Sequence, residues 1–119
     1  MRVGVCGGRG RKDKERVKEY IRGFCRKSDV IVSGGADGVD KWAEEVAEEE
    51  GLKKVIYLPQ SRTQGAFLER NTQIAEGCDW LLAFPSSTSR GTWDTVNKAK
   101  ALGKDVTIID STFFQWRAE

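Results

Sequence analysis

The sequence contains no histidine among its 119 residues. A Ser-His-Asp or Cys-His nucleophile pair, a His-ligated zinc ion and an imidazole general base are therefore excluded. Any chemistry in this chain has to use carboxylates, arginine, lysine, hydroxyls, thiols or backbone amides. No pattern in the sequence calls for a metal ion or another cofactor, so we expect neither.

Cysteine is scarce, and long apolar runs are missing. Cys6, Cys25 and Cys78 are odd in number and widely spaced, without a CxxC pair. Neither a zinc site nor a disulfide framework is indicated, and we expect buried free thiols in a reducing cytosol. No apolar run approaches the roughly 18 residues that a membrane span needs. The first predicted strand begins almost at Met1 and leaves no room for a signal peptide. We expect a cytoplasmic protein without membrane contact.

The formal net charge of +2 is small, but the charges are distributed unevenly. Residues 1–27 hold ten basic groups against three acidic ones, whereas residues 37–50 hold seven acidic groups against Lys41 alone. Two solvated helix faces of opposite sign would produce this pattern. Clustered basic residues also suit contacts with nucleic-acid phosphates, which keeps that alternative open.

Five short apolar runs alternate with helical patterns along the chain. The predicted strands are residues 2–6, 29–33, 54–58, 79–84 and 105–110. Most of these runs are continuously apolar, as in parallel strands covered on both faces. Apolar stripes at helical spacing lie between them: Val17, Tyr20, Ile21, Phe24 and Cys25; Val39, Trp42, Ala43, Val46 and Ala47; Phe67, Ile74, Ala75 and Cys78; Val96, Ala99 and Leu102.

This order predicts an α/β fold with a doubly wound, parallel, five-stranded sheet and helices on both faces. We expect one domain over residues 1–119, with an aromatic tail at 111–119 that packs on the core or on a second subunit. Ligands of such sheets bind where the strands end and the next helices begin.

The loop after the first strand contains Gly7, Gly8, Arg9 and Gly10. Glycines there let backbone amides approach an anion, and Arg9 is a candidate ligand. The loop lacks the third glycine of a dinucleotide fingerprint and the GK[ST] of a phosphate loop. A tight strand-to-helix turn is the alternative interpretation.

The loop after the second strand begins with Ser33, Gly34 and Gly35 and continues to Asp37 and Asp40. It again presents amides near a helix N-terminus, and Asp40 is a candidate ligand or catalytic residue. Helix capping by Asp37, with Asp40 in the first helical turn, is the alternative.

The loop after the fourth strand carries Ser89, Arg90, Gly91 and Thr92, a plausible phosphate cradle at a helix N-terminus. Thr92 as an N-cap is the alternative. Arg70 and Asn71 lie on the preceding helix, where an exposed charge is the ordinary role for arginine. Trp93 is placed either to stack on a base or to pack in the fold.

Three motifs together resemble the SLOG superfamily of Rossmann-like nucleotide-binding domains, and within it the small YspA-type (cpYpsA-related) members. They are SGGADGVDKWAEEVA at 33–47, ERN at 69–71 and AFPSSTSRGTWDTVNKAKALGKDV at 83–106. The resemblance implies a nucleotide or nucleotide-derived ligand held by the three loops and the intervening helix. The implied binding residues are Gly7, Gly8, Arg9, Gly10, Ser33, Gly34, Gly35, Asp40, Arg70, Asn71, Ser89, Arg90, Gly91 and Thr92.

The superfamily also contains LOG-type phosphoribohydrolases, which cleave the N-glycosidic bond of nucleoside 5′-monophosphates. Their PGGxGTxxE signature is only partly present, because Thr95 stands where they have glutamate. Cleavage passes through an oxocarbenium-like state that a nearby carboxylate stabilises. The candidate catalytic residues are therefore Arg70, Asp94 and Asp40.

These patterns predict, first, a domain that binds or senses a nucleotide. A LOG-like hydrolase is the alternative, and single-stranded DNA binding is the third hypothesis because the superfamily contains the DNA-processing protein DprA. Four tryptophans and the aromatic tail favour a homodimer or a larger homo-oligomer.

Overall fold

A computed structural model describes residues 1–87 and 89–110. The predicted aromatic tail lies outside these described residues. Strands and helices alternate in the predicted order: β1 (Arg2–Gly7), α1 (Lys14–Phe24), β2 (Val30–Ser33), α2 (Val39–Glu50), β3 (Lys53–Ile56), α3 (Gln64–Gly77), β4 (Trp80–Phe84), α4 (Arg90–Ala101) and β5 (Asp105–Ile108).

The strands form one sheet in the order β3-β2-β1-β4-β5, and every neighbouring pair is parallel. The predicted α/β fold with a five-stranded parallel sheet is confirmed. The chain first builds outward from β1 through β2 to β3, and then returns to place β4 on the other side of β1. The helices that follow β1 and β4 therefore lie on opposite faces of the sheet, which makes a topological switch point at the carboxyl ends of these strands.

Each face of the sheet is covered by two helices. Alternate residues of β1 point to opposite faces, so Val3 and Val5 pack against α1 and α2 whereas Cys6 packs against α3 and α4. In β4, Leu82 and Phe84 belong to the first layer, and its other buried residues belong to the second. Burial on both faces explains why these central strands are continuously apolar in sequence.

The oppositely charged faces of α1 and α2 contact each other. Lys18 is only 4% exposed, and its ammonium donates hydrogen bonds to Glu45 and Glu49 over 3.3 and 2.9 Å. Lys14 pairs with Glu45, and Arg22 pairs with Glu49. Because α1 and α2 pack side by side, Lys18 is buried, contrary to the interpretation as solvated faces, whereas the side chains of Lys14, Glu45 and Glu49 stay 41–45% exposed, as that interpretation expects.

The edge of the sheet departs from the predicted pattern. In β3, Lys53, Lys54 and Ile56 are exposed, because an edge strand is not covered as the central strands are. Leu102, predicted in the apolar stripe of α4, lies just beyond the helix and is 50% exposed. Across the described residues, none of the helices has the length and apolar character required to cross a membrane.

Candidate functional site

Two adjoining cavities lie at the carboxyl edge of the sheet. The first has a volume of about 870 Å³ and is lined by the loops after β1, β2 and β4 and by α2, α3 and α4. The second, of about 560 Å³, lies beside the loop after β2. Ligand pockets usually measure about 300–1,000 Å³, so the first cavity alone has room for a nucleotide.

Nearly all the predicted binding residues line one of these cavities. Those in the first are Gly7, Gly8, Arg9, Gly10, Asp40, Arg70, Asn71, Ser89, Arg90, Gly91 and Thr92. Gly34 and Gly35 line the second cavity, together with Arg9 and Arg70. The predicted catalytic residue Asp94 lines the first. The fold thus brings together residues that are far apart in the sequence.

Ser33 is the exception, because it lines neither of these two cavities. Its side chain is fully buried, and its hydroxyl donates a 2.7 Å hydrogen bond to Glu44. The side chain of Ser33 therefore does not lie where the predicted contact with a ligand would require it. Glu44, 7% exposed, was missed in the sequence. Its position one helical turn after Asp40 is the signal that places both carboxylates on one face of α2.

The loop after β1 lies directly against the loop after β4. The amide of Gly8 donates to the carbonyl of Phe84 over 3.0 Å. A Cβ atom added at Gly8 would lie 2.1 Å from the hydroxyl of Ser86, so no larger residue fits there. The Ser86 hydroxyl is buried and has no hydrogen-bond partner among the described residues.

Arg70 of α3 lies across the backbone of Gly34. One terminal nitrogen of its guanidinium donates to the Gly34 carbonyl, and Nε donates to the Asn71 side chain over 3.1 Å. A Cβ at Gly34 would stand 2.6 Å from the Arg70 guanidinium, which explains the glycine. The guanidinium also lies 5.8 Å from the centre of the Phe67 ring. Because these two oxygen acceptors are uncharged, they do not neutralise the positive charge of Arg70, which lines both cavities.

A chain of hydrogen bonds fixes Asp94 at the cavity wall. The Asn71 amide donates to Asp94 over 3.1 Å, and Lys98 forms a 2.9 Å ion pair with the same carboxylate. Thr95 is 1% exposed, and its hydroxyl donates to the Gly91 carbonyl over 3.0 Å. The position of the LOG-type glutamate thus holds a hydroxyl bonded to its own helix, and both Thr95 and the neighbouring carboxylate of Asp94 line the cavity.

Asp40 supplies a second carboxyl group to the same cavity. It is 7% exposed and accepts a 3.1 Å hydrogen bond from the Ala36 amide. Burial raises the pKa of Asp40 to about 6, although the Ala36 amide and the charge of Arg70 oppose that shift; the nearby Glu44 adds to it. A carboxyl group with such a pKa exchanges its proton near neutral pH, a property found often at functional sites.

The alternative interpretation of the two loops as helix caps holds only in part: Asp40 lies in the first turn of α2, but neither Asp37 nor Thr92 is an N-cap. The N-cap of α2 is Gly38, without a side-chain cap from Asp37. The N-cap of α4 is Ser89, because the helix begins at Arg90, two residues before Thr92. Trp93, in the first turn of α4, is 42% exposed and lines the first cavity, so its ring is not packed in the core.

Arg11 links the loop after β1 to the neighbouring strands beneath the site, a role that the sequence did not indicate. Its buried guanidinium donates to the carbonyls of Pro85 and Ile109 over 3.1 and 2.7 Å and pairs with Asp13 over 2.7 Å. It thereby joins the loop after β1 to the ends of β4 and β5. Within the run RGRKDK, nothing but the nearby Asp13 distinguishes Arg11 from its exposed basic neighbours.

Four arginines line the cavities: Arg9, Arg62, Arg70 and Arg90. None of the four forms an ion pair with any residue that the structure describes. Over residues 1–87 and 89–110, no group of three or more Cys, Asp or Glu side chains is placed to hold a metal ion. The cavities thus offer positive charge, glycine-rich backbone and the carboxyl groups of Asp37, Asp40 and Asp94, a set suited to a phosphorylated ligand.

Comparison with known proteins gives structural matches only. No protein-family model matches the chain, and no curated protein matches it either. DNA processing protein A (DprA) from Streptococcus pneumoniae superposes with a TM-score of 0.79 at 23% identity, over 90% of this chain and 49% of that one. TM1055 gives a TM-score of 0.73 at 23% identity, over 89% of this chain and 72% of that one.

A third match is DprA from Helicobacter pylori, in a structure determined for insight into the single-stranded DNA binding mode of that protein. Its TM-score is 0.77 at 21% identity, over 91% of this chain and 64% of that one. The chain spans about half the length of the Streptococcus pneumoniae protein. The chain therefore shares its Rossmann-like α/β fold with DprA and with TM1055.

Proposed function

We propose that this chain is a nucleotide-binding domain of the SLOG superfamily, of the small YspA type, which binds or senses a nucleotide in the first cavity. The observation that carries the proposal is that Arg9, Arg70 and Arg90, which line the first cavity, form no ion pair with any described residue. Positive charges that the protein leaves uncompensated in a concave site favour an anionic ligand.

The phosphate of the nucleotide is assigned to the wall between the loop after β1 and the start of α4. The amide of Trp93 already bonds to Ser89, so the amides that precede it in α4 have no acceptor within the helix. Together with the helix dipole and the side chains of Arg9 and Arg90, they form an anion site. The exposed ring of Trp93 supplies a stacking surface for the base.

The sugar is assigned to the middle of the cavity, between Asp40 and Arg70. The carboxyl group of Asp40 accepts hydrogen bonds when it is ionised, as ribose hydroxyls require. Arg70 is held by Gly34 and Asn71 rather than by a carboxylate, which leaves its remaining donors for the ligand.

Isothermal titration calorimetry with AMP, GMP, CMP and UMP tests this proposal. We expect at least one nucleotide to bind, and Arg90→Gln to weaken that binding about tenfold through the loss of a charge-assisted hydrogen bond. Arg16→Gln is the matched control, since Arg16 is an exposed residue of α1 outside both cavities. Absence of heat with every nucleotide, or equal losses in the two variants, would contradict the proposal.

Hydrolysis of the N-glycosidic bond is a second candidate, favoured by Asp94 beside Arg70 in the same cavity. In that reaction a water oxygen bonds to the anomeric carbon while the bond to the base breaks, and the base leaves with a proton. A carboxylate stabilises the positive charge that develops on the sugar. Chromatography of AMP incubated with the protein tests it: Asp94→Asn should stop release of adenine without abolishing AMP binding. If the unaltered protein leaves AMP intact, this candidate is rejected.

Single-stranded DNA binding is a third candidate, favoured by the likeness to the Helicobacter pylori protein. The basic face of α1 does not favour DNA binding, because Lys14, Lys18 and Arg22 pair with carboxylates of α2. Fluorescence anisotropy with a labelled oligothymidylate, read at two salt concentrations, tests this candidate. A salt-sensitive complex that AMP displaces would place the strand in the first cavity, and no complex would exclude it.

A further inference from the structure

The second cavity differs from the first in its charge. Its charged residues are Arg9, Arg62, Arg70 and Asp37, so positive groups outnumber negative ones by two. The charged residues that line the first cavity are Arg9, Arg70, Arg90, Asp40 and Asp94, so positive groups outnumber negative ones there by one. The loop after β2 supplies the floor of the second cavity, and its neighbouring amide at Ala36 is already bonded to Asp40. The positive charge of this cavity therefore comes from arginine side chains.

Arg62 is the residue that sets this cavity apart. It lies between β3 and α3, is exposed, and lines the second cavity but not the first. Neither Arg62 nor Arg9 has an ion-pair or hydrogen-bonding side-chain partner among the described residues. Arg62 therefore adds a third guanidinium to the lining of this cavity, and an anion bound there would offset the repulsion among the three.

The two cavities meet at residues that line both. Arg9, Ala36, Phe67 and Arg70 are common to the two linings. A guanidinium has five N–H donors in a planar fork, so Arg9 and Arg70 can each bind an anionic group on either side. One ligand molecule can consequently extend from the first cavity into the second past this pair.

We infer that the second cavity is a subsite for a second phosphate and sugar, so that the ligand is a nucleotide extended through a diphosphate rather than a nucleoside monophosphate. The inference rests on the proposed function and names its ligand class. The first phosphate and the base occupy the first cavity. The second phosphate lies between Arg9, Arg62 and Arg70, and the attached sugar contacts Phe67 and the backbone of Gly34 and Gly35.

Calorimetry with AMP and with ADP-ribose tests the inference. We expect ADP-ribose to bind at least about tenfold more tightly than AMP, the effect of one further charge-assisted contact. Arg62→Gln should remove most of this difference and change AMP affinity by less than about twofold, since Arg62 lies outside the first cavity. Arg90→Gln should weaken both ligands, because Arg90 lines the first cavity. Arg16→Gln, the control with the same change in charge, should affect neither ligand.

The outcomes separate the inference from the proposed function. If AMP and ADP-ribose bind equally, or if Arg62→Gln weakens both equally, the second subsite is refuted while nucleotide binding stands. An oligothymidylate that binds more tightly than ADP-ribose and depends on Arg62 would refute it in favour of a DNA strand. If neither nucleotide binds, the proposed function and the subsite fail together. Circular dichroism of each variant confirms that the fold is retained.

Discussion

Charged side chains form ion pairs on the α1–α2 surface, whereas the arginines that line the cavities at the carboxyl edge of the sheet form none with the described residues. On the first surface, Lys18 is buried between Glu45 and Glu49, and each ammonium or guanidinium near it has a carboxylate partner. In the cavities, arginines surround an open space without such partners among the described residues. Paired charges serve packing between helices, whereas unpaired charges in a cavity are retained at a cost in stability and indicate a ligand.

The ionisation of carboxyl groups shows the same contrast. Hydrogen bonds from Lys18 and Arg22 lower the pKa of Glu49. Burial raises the pKa of Asp40 to about 6. A lowered pKa means that the carboxylate stabilises the fold above its unfolded pKa and loses that effect as the pH falls. A raised pKa has the opposite effect: the free energy of unfolding falls as the pH rises, because burial disfavours the ionised form of the carboxyl group.

The largest expected effect is that of Gly34→Ala on ligand binding. The new Cβ would overlap the Arg70 side chain, with the nearest atom at 2.6 Å, and would displace its guanidinium from the cavity junction. We expect AMP affinity to fall about 30- to 100-fold, as for the loss of hydrogen bonds to a charged group. Gly65→Ala is the control: it makes the same change on α3, where the Cβ meets no atom within 4 Å. Equal affinities in the two variants would show that Arg70 does not act in binding.

The next effect concerns the stability cost of Asp40. Below its unfolded pKa of 3.8, Asp40 is protonated in both states, and its burial carries no cost of ionisation. The cost grows as the pH rises to the folded pKa of about 6, because Asp40 then ionises in the unfolded chain while it stays protonated in the fold. Asp40→Asn should therefore raise the free energy of unfolding by about 1–3 kcal/mol at pH 8 and have little effect near pH 4. Urea denaturation across this pH range measures it. Glu49→Gln should show the opposite sign, with a loss at neutral pH that disappears in acid.

The smallest effect is expected on the α1–α2 surface. Lys18→Met keeps the apolar stem but removes the two hydrogen bonds to partly exposed carboxylates. We expect a loss of about 1 kcal/mol in stability and no change in AMP affinity. Thermal unfolding and calorimetry on the same sample measure both. A loss of AMP affinity would show that the two regions are not independent.

The arrangement of strands and helices was accessible from the sequence because apolar spacing reports which faces are covered. The runs around Val3, Ile31 and Leu82 are continuously apolar, as buried parallel strands are, and the stripe from Val17 to Phe24 marks the buried face of α1. Glycine-rich loops at strand ends likewise marked the edge of the sheet at which the cavities lie. The resemblance to SLOG domains then selected Arg70 from an otherwise ordinary helix.

The remaining features depend on contacts between distant segments, which spacing does not encode. Arg11 and Lys18 look like members of one solvated basic run, yet both are buried by their partners from other elements. Ser33 looked like a ligand residue until the packing of α2 brought Glu44 against its hydroxyl. Arg62 carried no motif, and only the fold brings it to the cavity that Arg9 and Arg70 also line.

A crystal structure of the protein grown with AMP tests the central claim most directly. The account predicts that the nucleotide lies in the first cavity, with its phosphate against the amides of Gly91 and Thr92 and the guanidinium of Arg90. Arg70 is expected within hydrogen-bonding distance of the sugar or the phosphate. AMP bound elsewhere on the surface, with the cavity arginines still without an anion, would contradict the account.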